Sequence, residues 1–303
     1  MFRSYRHTRS IATRLRNILL NDDPIQEQGA LLRIMIETKV TSIPELIEHV
    51  TSSKKRDNRL WFRGMRCSEW HLEPSLWRAM RASSKYSDLT ISQIMRVETK
   101  LITRFRQHSL PYWPAGYAQS EWEHLCVMQH HGVPTRLLDW TTSLLTALYF
   151  ALDSIPDASH KNECKPAVWI LDPVKLNQTN QNWPGKPGVG VLSSVDPDVE
   201  PWMPNMNSYM MNLDYTVGVE PIAMYGLYNN DRIFSQQGMF TVFGRKIEPL
   251  EKLEESTRYL EKVTVDADIA ELENHLKVLG INKSKVYPGI SSYAEDLTKE
   301  EFE

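Results

Sequence analysis

The chain of 303 residues is 41% hydrophobic, enough to bury a sizeable core, and its formal net charge of -3 excludes a globally basic nucleic-acid binder. Its three cysteines are widely spaced and form no CxxC pair, which favours reduced thiols in a cytoplasm over a disulfide framework or a zinc site. The longest apolar runs are too short to span a bilayer, so we expect no transmembrane helix and no membrane partner.

The N-terminal segment is strongly basic. Its first twenty residues contain no acid and include Arg3, Arg6, Arg9, Arg14 and Arg16. We interpret residues 1–40 as a basic, helical N-terminal extension. Three roles stay open for it: an organellar targeting segment, an arm that contacts nucleic acid or a partner, and an ordinary helix with a solvated basic face.

Two elements follow this segment. Residues 42–50 predict a short helix, because Ser42 can cap it and Pro44 lies near its first position. Residues 60–64 are a short apolar run that ends in Arg-Gly and predicts a strand. An arginine at the end of a buried strand is unusual. Arg63 can therefore serve as the structural partner of a carboxylate or hold an anion.

A longer helix is predicted from near Thr90, since apolar residues recur at helical spacing up to Phe105. Glu98 lies on the apolar face of this helix. A buried carboxylate without a positive partner costs several kcal/mol. Arg63 and Arg136 are the two arginines that we consider as its partner.

The segment 123–153 carries the densest set of polar groups. Ser120 and Glu123 fit a capping box that opens a helix ending in His130-His131, and a Gly-Val-Pro turn follows. Arg136, Asp139 and a run of hydroxyls then open a second, apolar helix. So many polar groups between buried elements either lock a corner of the fold or line a site.

The rest of the chain is richer in strands. We predict strands at 165–172, 221–225, 238–243 and 262–265, a long surface excursion at 177–215, a helix at 267–279, and a last helix after the Tyr-Pro-Gly turn at 287–289. Helices dominate the first half and strands the second, so the layout is α+β. The common nucleotide-binding loops GxGxxG and GxxxxGK[ST] are absent.

Several of these motifs together resemble the FRG-domain family. They are Trp-Phe-Arg-Gly at 61–64, Glu98, QHHGVPTRLLDWT at 129–141, ALYFA at 147–151, Arg232, Gln237-Gly238 with Phe240, and Tyr-Pro-Gly at 287–289. The resemblance assigns 41–297 to an FRG domain and leaves 298–303 as a C-terminal tail.

A weaker resemblance concerns ADP-ribosyltransferases of the arginine–serine–glutamate type. Arg63-Gly64 looks like the first element of that pattern, and Trp140-Thr-Thr-Ser143 with ALYFA looks like the second. Gln237 stands where the catalytic glutamate would fall. The resemblance implies a split β-sheet core with a helical N-terminal half, and NAD as a substrate.

The resemblance also implies a set of site residues. The catalytic candidates are Arg63, Glu98, Thr142 and Gln237. The NAD-binding candidates are Arg63, Gly64, His130, Thr135, Arg136, Asp139, Thr141, Ser143 and Tyr149. Arg63 would grip the pyrophosphate, the hydroxyls would hold phosphate or ribose oxygens, and Tyr149 or Trp140 would stack on nicotinamide. Gln237 lacks the negative charge, which Glu98, His130 or Asp139 could supply.

Each candidate has a plainer interpretation. Thr141, Thr142 and Ser143 can simply cap a helix. His130 and His131 can be satisfied polar groups at a helix end, and Asp139 can pair with Arg136.

The resemblance implies an NAD-dependent ADP-ribosyltransferase that modifies RNA, DNA or protein. It would be a cytoplasmic bacterial toxin or antiphage effector, with an antitoxin or chaperone as a possible partner. The alternative is a non-enzymatic nucleotide-ligand-binding module that has lost the glutamate. A metal-dependent hydrolase built on His130, His131 and Asp139 is disfavoured, because adjacent histidines rarely face one metal and no HExxH is present.

Overall fold

The computed structural model describes residues 37–52, 60–86, 89–113, 120–153, 164–179, 189–203, 218–227 and 230–302. The basic segment 1–36 lies outside the described residues, and so does most of the long excursion predicted at 177–215.

The described residues form one seven-stranded sheet with helices around it. The strands are β1 (Glu37–Val40), β2 (Trp61–Met65), β3 (Leu137–Thr141), β4 (Ala167–Leu171), β5 (Ile222–Tyr225), β6 (Gly238–Val242) and β7 (Leu260–Val265). The α-helices are α1 (Ile43–Ser52), α2 (Ser75–Arg81), α3 (Ile91–Ser109), α4 (Glu121–His130), α5 (Leu144–Leu152), α6 (Pro173–Thr179), α7 (Asp231–Ser235), α8 (Ile269–Val278), α9 (Lys283–Val286) and α10 (Ile290–Phe302). Short 3-10 helices occur at Leu110–Tyr112, Pro197–Trp202, Leu250–Lys252 and Ser256–Arg258. This arrangement confirms the predicted α+β class.

The sheet opens between its two central strands. The strand order is β1-β7-β4-β2-β3-β6-β5, with β1 and β7 parallel and every other neighbouring pair antiparallel. β2 pairs with β4 from Trp61 to Met65, whereas β2 meets β3 only at Phe62 and Thr141. The two strands therefore diverge after this pair and leave a gap in the middle of the sheet.

Apolar side chains cover both faces of the sheet. Trp61 and Met65 of β2 share a cluster with residues of α2 and α3, while Phe62 shares another cluster with residues of α1, α5 and α8. The alternation follows from the strand period of two.

Gly64 fixes the position of α5 behind β2. A Cβ atom at this position would lie 1.8 Å from the carbonyl oxygen of Ala147 and 2.6 Å from the backbone nitrogen of Ala151. Only glycine permits so close an approach of helix and strand. The Arg-Gly pair in β2 therefore combines a polar side chain with a close backbone contact.

The observed elements differ from the sequence predictions in several places. Residues 37–40 form a strand rather than part of a helical extension, because they pair in parallel with β7. Residues 137–141 form strand β3, so the first half of the chain contributes three strands to the sheet. The helices α2, α6 and α9 were not predicted, and α10 continues to Phe302, past the boundary expected at 297.

A buried ion pair joins α3 to the start of β3. The Nε atom of Arg136 lies 3.0 Å from Oε1 of Glu98, and the two side chains are 1% and 2% exposed. Arg136 also donates hydrogen bonds to the carbonyl oxygens of Phe243 and Trp202. Burial raises the pKa of Glu98, and the charge of Arg136 opposes that rise. Of the two arginines considered as partners, the structure therefore assigns Arg136 to Glu98.

We expect Glu98→Gln to lower the free energy of unfolding by about 3–5 kcal/mol, since it leaves the Arg136 charge buried without its counter-ion. Urea denaturation followed by circular dichroism measures this loss. Glu48→Gln on the exposed side of α1 is the matched control and should change stability by less than about 0.5 kcal/mol. Equal denaturation midpoints for the two variants would contradict the structural role of the pair.

Candidate ligand-binding cleft

A cavity of about 670 Å³ lies where β2 and β3 diverge. Its walls come from β2, the segment that follows β2, the end of α4, β3, α7 and the start of β6. This volume is within the range of small-molecule and cofactor sites in proteins. The open part of the sheet therefore forms the floor of a candidate ligand-binding cleft.

Arg63 spans the gap between the two strands. Its Nη1 donates a hydrogen bond of 2.6 Å to the carbonyl oxygen of Asp139 and lies 3.9 Å from the Oδ2 of that residue. Its Nε is buried and has no hydrogen-bond acceptor within the described part of the chain. Burial lowers the pKa of Arg63, the charge of Asp139 opposes the shift, and the nearby charge of Arg78 adds to it. Arginine stays protonated in proteins, so an incompletely satisfied cation faces the cleft.

Asp139 is held by a short relay of hydrogen bonds. Its Oδ2 accepts a bond of 2.7 Å from Nε2 of Gln129, whose Oε1 accepts a bond of 2.5 Å from the hydroxyl of Thr135. The Asp139 side chain is 54% exposed, so its carboxylate is both oriented and accessible. Thr135 itself is fully buried.

Three further arginines line the same cleft: Arg66, Arg78 and Arg232. Arg78 donates to the carbonyl oxygen of Glu73 over 2.6 Å, and the guanidinium of Arg232 lies 4.9 Å from the ring centre of Tyr287. Besides Asp139, the lining carboxylates are Glu69 and Glu73, and Glu73 forms an ion pair with Arg81 outside the cleft. Positive charge is in excess, which suits a ligand that carries phosphate groups.

His130 contributes a neutral group. Burial lowers its pKa, and the charges of Arg232 and His131 lower it further. The imidazole is therefore uncharged at neutral pH. Its Nδ1 is buried and finds no hydrogen-bond partner among the described residues. His130 can offer a hydrogen bond to a ligand, but it adds no charge.

A disulfide bond between Cys67 and Cys164 tethers the segment after β2. The prediction of reduced thiols is therefore wrong for these two residues. The antiparallel register of β2 and β4, which places Met65 opposite Ala167, brings the two cysteines together just beyond the strand ends, with 5.1 Å between their Cα atoms. The third thiol, Cys126, is buried and free, and burial raises its pKa to about 12.

The structure brings together only part of the predicted site. The predicted residues that line the cleft are Arg63, Gly64, His130, Asp139 and Thr141. The predicted residues that do not line it are Glu98, Thr135, Arg136, Thr142, Ser143, Tyr149 and Gln237. Glu98 and Arg136 neutralise each other in the core, so neither contacts a ligand in this cleft. Trp140 lines the cleft but is buried, and its indole N–H donates to Thr241.

The hydroxyls at the end of β3 lock a corner of the fold. Thr141 donates to the carbonyl oxygen of Gln236 over 2.6 Å, and Thr142 donates to Oε1 of Gln237 over 2.7 Å. Ser143 caps α5 by accepting a hydrogen bond from the backbone N–H of Thr146. These contacts agree with the interpretation that the three hydroxyls cap and stabilise the start of α5 instead of binding a ligand. Gln237 has a positive φ of 49° in the turn between α7 and β6, and its side chain is engaged by Thr142.

The packing of Tyr149 also differs from its predicted role in stacking on nicotinamide. Its ring centre lies 6.1 Å from that of Phe150 and 6.4 Å from that of Tyr287. Phe150, the next residue along α5, lines the cleft instead. Burial raises the pKa of Tyr149, so its hydroxyl stays protonated.

Sequence reasoning missed several residues of the cleft wall. They are Arg66, Glu69, Trp70, His71, Glu73, Arg78, Gln129 and Phe150. Most of them lie in the segment after β2 or in α2. Neither stretch has a periodic hydrophobic pattern from which the orientation of its side chains could be predicted. Gln129 could have been found, because it opens the motif QHHGVPTRLLDWT.

The comparison with known families gives one match. The model of the FRG domain matches residues 58–160, about a third of the chain, and confirms the resemblance to that family over this range. The match contains β2, β3 and the helices from α2 to α5, and thus both Arg63 and Asp139. No curated protein and no solved structure matches the chain.

The described residues contain no cluster of three or more His, Cys, Asp or Glu side chains that could hold a metal ion. None of their helices combines the length and the hydropathy needed to cross a membrane.

We expect a thiol reagent to label one cysteine per chain in the denatured, non-reduced protein and three after reduction. In the native protein Cys126 should react slowly up to about pH 10, since it is buried and its pKa is about 12. Mass spectrometry after alkylation counts the labelled residues. Three labelled cysteines without reduction would show that Cys67 and Cys164 are not bonded.

Proposed function

We propose that this protein is an NAD-dependent ADP-ribosyltransferase and that NAD binds in the cleft between β2 and β3, which carries both Arg63 and Asp139. The observation that carries the proposal is the meeting of an arginine and a carboxylate across a sheet that opens between its central strands. A split sheet with an arginine on an early strand is what the transferase resemblance implies.

The donor set of the cleft fits the pyrophosphate of NAD. Arg63 has a buried Nε without an acceptor among the described residues, and Arg66, Arg78 and Arg232 add charge around it. A guanidinium can hold phosphate oxygens through two parallel, charge-assisted hydrogen bonds. We therefore assign Arg63 to the pyrophosphate.

We assign to Asp139 the negative charge that a catalytic glutamate would carry and that Gln237 lacks. When nicotinamide leaves, positive charge develops on the ribose, and a fixed carboxylate stabilises it. Glu98 is paired with Arg136 in the core, and His130 is neutral, so Asp139 is the best placed of the three groups considered for this charge. The relay through Gln129 and Thr135 keeps its carboxylate oriented before the ligand arrives.

The balance of the reaction is simple. The bond between ribose and nicotinamide breaks, a nucleophile of the acceptor forms the new bond to the ribose, and the proton of that nucleophile is released. We extend the proposal to RNA, DNA or protein as acceptor, and to a toxin or antiphage effector with an antitoxin or chaperone partner. This extension rests on analogy with small free-standing transferases.

One observation favours a second candidate function. The transferase resemblance expects a glutamate where the chain has Gln237, and in the structure the side chain of Gln237 accepts a hydrogen bond from Thr142 instead of lining the cleft. A protein with this arrangement can bind a nucleotide without turning it over. The second candidate is therefore a non-enzymatic module that binds a nucleotide ligand in the same cleft.

We expect Arg63→Lys to weaken the binding of ADP-ribose, a stable part of NAD, by at least about tenfold, because a lysine cannot reproduce the planar, two-pronged grip. Isothermal titration calorimetry measures the affinity, and thermal denaturation verifies that the variant folds. Arg104→Lys on the exposed side of α3, outside the cleft, is the matched control. A wild-type protein that binds neither NAD nor ADP-ribose would overturn both candidate functions.

Asp139→Asn separates the enzyme from the binding module. We expect it to lower the release of nicotinamide from NAD by about tenfold or more, while the affinity for ADP-ribose changes by less than about threefold, because the charge acts on the transition state. Chromatography of nicotinamide, with cell extract as a source of acceptor, measures turnover. A wild type that binds NAD and never releases nicotinamide would favour the module.

A further inference from the structure

We propose that Trp70 stacks on the adenine ring of bound NAD, so that the adenine end of the ligand lies at Trp70 and the nicotinamide end lies at Asp139. This inference rests on the proposed function, since it assigns the two ends of the ligand to two walls of the same cleft. It adds an orientation for the ligand and a residue that selects for a nucleobase.

The exposure of Trp70 is unusual in this protein. Its side chain lines the cleft and is 51% exposed, whereas the tryptophans of the core clusters are buried: Trp61, Trp77, Trp122, Trp140, Trp169 and Trp202. Leaving so large an apolar surface in contact with water forgoes the free energy of burying it. A flat partner that covers the indole ring recovers that free energy.

Trp70 is also held in place before any ligand binds. On one side the Cys67–Cys164 disulfide and a hydrogen bond of 2.8 Å from the Ser68 N–H to the carbonyl oxygen of Lys165 tether the chain. On the other side the N–H of Leu72 donates to the carboxylate of Glu251 over 3.1 Å. Tethers on both sides reduce the ordering entropy that a loop loses when it binds.

Charge decides which ring of NAD stacks on Trp70. The guanidinium of Arg66 lies 5.8 Å from the centre of the Trp70 ring, close enough for a cation–π contact. The nicotinamide ring of NAD is a cation and is repelled by Arg66, whereas adenine is neutral. The carboxylate of Asp139 attracts the cationic end. Arg63, which contacts Asp139 directly, takes the pyrophosphate.

The test compares ligands that carry one end of NAD each. ADP-ribose contains adenine, nicotinamide mononucleotide contains nicotinamide, and inorganic pyrophosphate contains neither. Their affinities are measured by calorimetry for wild type, Trp70→Ala, Trp70→Phe and Tyr112→Ala. Tyr112 is the control, because it is exposed and does not line the cleft. Thermal denaturation of each variant verifies that it folds.

We expect Trp70→Ala to weaken ADP-ribose binding by about 5- to 150-fold, the range measured when a stacking aromatic is removed from a nucleobase. Trp70→Phe should retain most of the affinity. Nicotinamide mononucleotide and pyrophosphate should bind both variants and Tyr112→Ala within about twofold of wild type.

Three results would overturn the assignment. If Trp70→Ala binds ADP-ribose like wild type while Arg63→Lys does not, Trp70 does not stack on adenine and the proposed function still stands. If Trp70→Ala loses affinity for nicotinamide mononucleotide instead, the orientation is the reverse. If wild type binds neither NAD nor ADP-ribose, the proposed function fails and this inference fails with it.

Discussion

The cleft depends on the single pairing of Phe62 with Thr141. Up to this point β2 and β3 belong to one sheet, and beyond it they separate. Backbone groups at a sheet edge need partners when they are buried. Arg63 meets part of this need, because its guanidinium donates to the carbonyl of Asp139 across the gap. The hydrogen bond that bridges β2 and β3 therefore also places the cation of Arg63 on the floor of the cleft.

Two buried or partly buried arginines of this protein lie in different surroundings. Arg136 has a carboxylate and two carbonyl oxygens around it and is sealed in the core. Arg63 has one carbonyl, a carboxylate at 3.9 Å, and a buried Nε that no described residue satisfies. The Nε of Arg136 likewise has no hydrogen-bond acceptor among the described residues, so the difference between the two arginines lies in their access to a ligand. Arg136 is sealed in the core beside Glu98, whereas Arg63 lines a cleft in which a ligand can supply the missing acceptor.

Local patterns predicted the elements with strong local signals. The apolar spacing of α3 and the capping box of Ser120 and Glu123 were readable, and the structure contains both. Strand β3 could not be predicted, because LLDWT is short and does not alternate between apolar and polar residues, with Asp139 as its one exposed residue. The choice of Arg136 as the partner of Glu98, and the bond of Cys67 to Cys164, depend on which strands pair. Pairing over long sequence distances leaves no local pattern. Arg66 and Trp70 were missed for a related reason, since the cleft wall after β2 is irregular.

The order of the strands also has a consequence for how the chain folds. β1 pairs with β7, so Glu37 lies opposite Lys262. β2 lies within the FRG-domain match and pairs with β4, which follows the match in sequence. Contacts between residues so distant in sequence slow folding, because loop entropy is lost before the pairing stabilises the chain. During synthesis, β7 leaves the ribosome long after β1, and the edge of β4 that β7 covers stays unpaired until then. The nascent chain therefore exposes a strand edge prone to aggregation from the synthesis of β4 until that of β7, and this protein should depend on chaperones during synthesis more than its size alone suggests.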